Sequence, residues 1–131
     1  MSHLKSRTMK KQFKESFDKV AEFAKEQFNV DVNKVQGIRK GPYVRVRASI
    51  MVTMMKVLAA KSVELGEALN VDHTSVLHHK VNHPGRYQSD DEYAEIYDAT
   101  FRYVTKLRSE IIGEDATELP KVLSMIRNVA S

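Results

Sequence analysis

The sequence has no cysteine. Disulfides and thiolate metal centres are therefore excluded, and the absence fits a reducing compartment. No apolar run approaches the ~18 residues a membrane span needs, and the N-terminus lacks the apolar core of a secretion signal. A soluble cytoplasmic protein with no membrane partner is expected. Glycine is scarce, with five in 131 residues and none clustered. Neither a Gly-x-x-x-x-Gly-Lys-Ser/Thr loop nor Gly-x-Gly-x-x-Gly occurs, so the chain offers no phosphate-cradling nucleotide loop. No Ser/His/Asp nucleophile arrangement stands out, and neither enzymatic activity nor a cofactor is expected.

What is present is unevenly distributed charge. The net charge is +4. Residues 1–48 carry twelve Lys and Arg against five Asp and Glu, whereas residues 49–131 carry nine against twelve. A concentrated basic segment suggests phosphate contacts, although a solvated lysine-rich surface has the same composition.

The apolar pattern is helical throughout. Phe13, Phe17, Val20, Ala21, Ala24 and Phe28 mark one face of a helix over residues 10–28. That stripe reads as core, because the opposite face is charged. Asp31 is placed to cap a short helix over 32–36, ended by Gly37. Gly41-Pro42 disfavours a continuous helix. Arg45-Val46-Arg47 resembles a strand, but no second strand is evident to pair with it. The run 48–60 is rich in Met, Leu and Ala, which favours helix, and Met51, Met54 and Met55 mark a packing face. Ser62 is placed to cap a helix over 63–69, with Asn70-Val71 as a turn. A further helix runs from His73 to about Asn82 and stops at His83-Pro84-Gly85. Ser89-Asp90-Asp91-Glu92 reads as a capping box that opens the longest helix, with Gly113 stopping it. That helix aligns Tyr93, Ile96, Tyr97, Thr100, Phe101, Val104, Leu107 and Ile111 at helical spacing. A final short helix spans about 119–129. The expectation is an all-α helical bundle of six or seven helices. Residues 1–9 form a flexible basic leader, 10–112 the domain, and 113–131 a helical tail that packs on the body or joins a second copy.

Four histidines, His73, His78, His79 and His83, fall within eleven residues. His79 and His83 are four apart, a spacing that can hold a metal. Pro84 frays the helix at that point and no carboxylate stands at a third ligand spacing, so no metal is expected.

The most telling stretch is 64–78. It reads as a short helix, a tight connection and a second helix opened by Asp72, a good N-cap. His73, Thr74 and Ser75 then lie at the exposed N-terminal end, where a recognition helix meets DNA. At 100° per residue His78 returns to the face of Thr74. Leu77 and Val81 lie together on a neighbouring face, expected to turn inward. Paired short helices also occur in bundles that bind nothing. The polar helix start and the basic stretch before it favour DNA.

These residues resemble a known family. Leu65-Gly66-Glu67-Ala68-Leu69, followed by Asp72-His73-Thr74-Ser75-Val76-Leu77-His78, closely resembles the signature of the C-terminal DNA-binding domain of the bacterial replication initiator DnaA. The likeness covers roughly residues 14–107. It implies a Trp-repressor-like helix-turn-helix fold that binds a short asymmetric site in duplex DNA. By resemblance Asp72, His73, Thr74 and Ser75 face the major groove. His73 and Thr74 favour thymine methyls and base edges, and Asp72 accepts from an exocyclic amine. Arg39 enters the minor groove, with Lys40 beside it in the basic loop. Arg45 and Arg47 match the start of the long helix, Arg47 as a base or phosphate contact. Lys61, Ser62 and Val63 lie where a helix start meets phosphate. His78 and His79 complete the expected DNA-facing set. Arginine suits a narrow, negative minor groove, and helix starts attract phosphate.

The sequence also departs from that family. Its turn is one residue shorter, Val71 replaces a usual basic residue, and Ala48 replaces a frequent glutamine. Lys80 and Val81 change small and basic positions, and the 131 residues hold no ATPase module. The implied function is sequence-specific duplex-DNA binding by a stand-alone phage or accessory protein. It would act in replication initiation or its regulation, in the cytoplasm and on the nucleoid, by occupying DnaA-box-like sites. Alternatives are a dimeric transcriptional repressor, a phage packaging subunit, or a protein–protein adaptor that docks on host replication factors.

Overall fold

The computed structural model describes residues 2–33 and 42–114. Among the described residues the fold is all-α, without strands. Its helices are α1 (Ser2–Phe28), α2 (Pro42–Leu58), α3 (Ser62–Leu69), α4 (His73–Ser89) and α5 (Asp91–Glu114). The short helix expected over 32–36 and the tail helix over 119–129 fall partly or wholly outside the described residues.

Helix α2 is the centre of the molecule. Val46, Ala48, Ser49, Ile50, Met51, Val52, Thr53 and Met54 are all buried. A helix buried on every side must be surrounded by other helices, and α2 contacts α1, α3, α4 and α5. It opens at Pro42, six residues before the Met-rich run. Proline suits the first helical turn, where its missing N–H is not needed. The Arg45-Val46-Arg47 stretch is therefore helix. The Thr53 hydroxyl donates to the Ser49 carbonyl at 2.7 Å, so this buried polar group is satisfied within the helix.

The stripe predicted on α1 holds: Phe17, Val20, Ala21 and Ala24 are buried against α2 and α5. Helix α1 begins at Ser2, so residues 2–9 continue the first helix instead of forming a separate leader. At 27 residues α1, not α5 with 24, is the longest helix. Helix α5 contributes Ile96, Val104 and Leu107 to the main core. Tyr93 and Tyr97 form a second cluster with Ala48 and Val52. Phe101, aligned with these residues by spacing, is 40% exposed and stacks on Tyr97.

Several helix ends differ from the sequence pattern. The N-cap of α3 is Lys61, with Ser62 already helical, and the Glu64 carboxylate accepts from the Lys61 N–H at 3.0 Å. The cap of α5 is Asp90, one residue beyond Ser89. Its carboxylate accepts from the Tyr93 N–H at 3.1 Å. Helix α5 continues through Gly113 to Glu114.

The largest difference is in α4, which runs through Pro84 and Gly85 to Ser89. Proline inside a helix removes one backbone bond and costs about 3 kcal/mol or more. Here His83 offsets that loss. It is 6% exposed, its Nδ1 lies 2.8 Å from the Tyr93 hydroxyl, and its ring centroid lies 4.2 Å from that of Tyr97. Burial holds the His83 imidazole below its usual pKa and Tyr93 is pushed up to about 12, so the pair is neutral. Tertiary packing thus carries the helix past its breaker.

Candidate nucleic-acid interface

Helix α3 ends at Leu69, and Asn70 takes the left-handed conformation at φ 55°. Asparagine tolerates this better than most residues. The Val71 N–H then returns to the Gly66 carbonyl at 2.9 Å. Gly66 itself touches the turn. A β-carbon there would lie 2.7 Å from the Val71 carbonyl oxygen and 3.3 Å from the His73 nitrogen. Only glycine lets the start of α4 sit this close to α3.

Asp72 caps α4 as its sequence position predicts. Its Oδ1 accepts from the Thr74 N–H at 2.9 Å and from the Thr74 hydroxyl at 2.8 Å. These bonds hold the carboxyl below its usual pKa, so it is ionised near neutrality. His73 Nδ1 lies 3.4 Å from the same oxygen. Asp72, His73, Thr74, Ser75 and His78 are all exposed. Asn82 donates to His78 Nε2 at 2.9 Å and to the His78 carbonyl at 3.0 Å, which fixes the ring against the helix.

The inner face of α4 is carried by Val76 and His83. Leu77 is 42% exposed and Val81 77% exposed, so both point outward, contrary to the sequence expectation. At 100° per residue Thr74, Leu77, His78 and Val81 share a single outward stripe, opposite Val76 and His83. This face mixes polar and apolar groups and carries no formal charge.

The other expected contacts divide into three groups. Lys61 and Val63 are exposed at the start of α3, with Ser62 half-buried beside them. Arg39 and Lys40 lie outside the described residues. Arg45 and Arg47 are committed to packing. Arg45 bonds Asp90 at 2.9 Å and meets Glu92 at 3.5 Å, joining α2 to the start of α5. Arg47 donates through Nη2 to the Leu69 carbonyl, and its guanidinium lies 5.2 Å from the Tyr43 ring centre. It ties the end of α3 to α2 and so supports the turn.

His79 and His83, considered above as a metal pair, have separate partners. His83 is bonded to Tyr93, and His79 Nδ1 lies 2.7 Å from Arg86 Nη1. Among the described residues no group of three His, Cys, Asp or Glu is placed to hold a metal ion. Sequence reasoning passed over Asn82 and Arg86. The available signal was spacing: Arg86 is seven residues from His79, two turns along the same face.

No membrane-spanning helix occurs among the described residues. Comparison with protein-family models, curated proteins and solved structures finds no match to the chain.

Proposed function

We propose that this chain binds duplex DNA sequence-specifically, with α3 and α4 acting as a helix-turn-helix and α4 entering the major groove. One observation carries the reading. The start of α4 is capped by Asp72 and presents exposed His73, Thr74 and Ser75, with His78 one turn on, at an end packed closely against α3 at Gly66. The start of a recognition helix is where base edges are met. Leu77, Val81 and the Thr74 methyl are suited to thymine methyl groups, and the polar side chains to base-edge donors and acceptors. The resemblance to the DnaA DNA-binding domain supports a role in replication initiation or its regulation, at DnaA-box-like sites.

Selection of bound sequences from a random duplex pool, at stated salt, tests this. The selected duplex is expected to bind at least about tenfold more tightly than its scramble, since one good base contact discriminates by about 1–3 kcal/mol. His73→Ala should shrink that ratio. Lys40→Ala should weaken both duplexes alike, as a phosphate contact does. Equal affinity for both duplexes would end the sequence-specific reading.

The exposed Leu77 and Val81 favour a second reading, a protein–protein adaptor whose partner covers this stripe. No duplex binding even at low salt would select it.

A further inference from the structure

We propose that His79 and Arg86 of α4 form a site for one phosphate oxyanion on the flank of the reading helix, with the packed Arg47 of α2 adding positive potential. Charged groups drawn partly out of water are normally paired with an opposite charge. Among the described residues the ion pairs join Arg45 to Asp90 and Glu92, and His73 Nδ1 lies 3.4 Å from Asp72. None reaches Arg86 or Arg47, although both are only partly exposed.

Arg86 donates through Nη1 to His79 Nδ1, which places the proton of the neutral ring on Nε2. The pair therefore keeps further N–H donors on both side chains. Arg47 uses one terminal nitrogen on Leu69, while its Nε is buried without a partner. Burial, the largest cause, and then the neighbouring Arg86 and Arg47 guanidiniums depress the His79 pKa to about 4. Every such charge is cationic, so an anion is the missing member of the cluster.

The location favours a phosphodiester. His79, Asn82 and Arg86 lie along one side of α4, next to the outward stripe. A helix in the major groove has sugar–phosphate backbone along its flanks. The DNA source rests on the function proposed above, but the anion site does not. Free inorganic phosphate offers the same oxygens and serves as the second probe.

The test follows the His79 ring proton and the Arg86 Nε–Hε cross-peak of the full chain by NMR. Sodium phosphate is added at constant ionic strength in one arm and the selected duplex in the other. Saturable movement of both signals is expected in each arm, with the His79 midpoint climbing about one pH unit or more, because a bound anion favours imidazolium. Movement with duplex alone assigns the site to the DNA backbone. Movement with phosphate alone, and no duplex binding, keeps the anion site and removes the DNA reading. Duplex binding with both signals still in both arms overturns the site and leaves the DNA reading standing. Arg86→Gln should abolish the phosphate response. It should also lower the slope of log K against log salt by about one, without changing the ratio of selected to scrambled affinity. Arg86→Lys should restore part of that slope. A contact that only braces α4 would move neither quantity.

Discussion

Gly66 and Gly85 lie on adjacent helices and behave oppositely. At Gly66 the atoms a methyl group would meet are all backbone, on the turn and on the first residue of α4. None can rotate away, so the turn itself must shift. Gly66→Ala is expected to destabilise the fold by about 1–3 kcal/mol, in the range of overpacked cores. On the proposed function it should also reduce selected-duplex affinity more than scrambled-duplex affinity, because the start of α4 is displaced. Urea unfolding and paired duplex titrations measure the two effects. At Gly85 an added β-carbon meets nothing within 4 Å, and the residue is inside a helix. Gly85→Ala should therefore stabilise by about 0.5–1 kcal/mol, the usual helix-interior difference, seen as a raised urea midpoint. The sequence shows both residues plainly but not which is which. Gly85 beside Pro84 looks like the helix stop, while Gly66 looks like an ordinary motif position. Only the folded contact distinguishes them.

At the level of elements, periodicity was legible and termini were not. The apolar stripes of α1 and α5 follow from local spacing, and Asp72 announces its cap because its partner Thr74 is two residues away. The passage of α4 through Pro84 could not be read, since it depends on Tyr93 and Tyr97 from the next helix closing around His83. The arginines of α2 show the same limit. A basic pair near a helix start looks like a phosphate contact, but Arg45 is held by Asp90 and Glu92, 45 and 47 positions away, and Arg47 by the Leu69 carbonyl. Asp90 serves both helices, capping α5 through one oxygen and bonding Arg45 through the other. The two roles can be separated. Asp90→Asn keeps a side-chain oxygen for the cap but loses the charge pairing, whereas Asp90→Ala loses both. Thermal melts should place Asn between the native chain and Ala. Equal melting temperatures for the two variants would mean that the cap contributes nothing beyond the ion pair.

Across the whole molecule the titrating groups set where acid unfolds it. His79 is depressed from 6.5 to about 4, chiefly by burial and then by Arg86, and His83 is also depressed by burial. Both bind protons more readily in the unfolded chain, so stability rises with pH between their folded and unfolded values. For His79 that contribution is complete above about pH 6.5 and is lost as the pH falls toward 4, and His83 adds to it in the same direction. For His79 the loss is on the order of 1–2 kcal/mol once its partial exposure is allowed for. Asp72 and Asp90 are also depressed, but from 3.8, by hydrogen bonds to Thr74 and Arg45. Their contribution holds above 3.8 and disappears only below it. Urea midpoints should therefore fall in two stages, the first between pH 6.5 and 4 and the second below 4. His79→Gln should flatten the first stage and leave the second unchanged, while Asp72→Asn should do the reverse. If the chain binds duplex as proposed, bound duplex should weaken the first stage too, because a phosphate beside His79 would make its protonation less costly in the folded state. A first stage that is identical with and without duplex, in a chain that binds it, would mean that His79 stays remote from the DNA backbone.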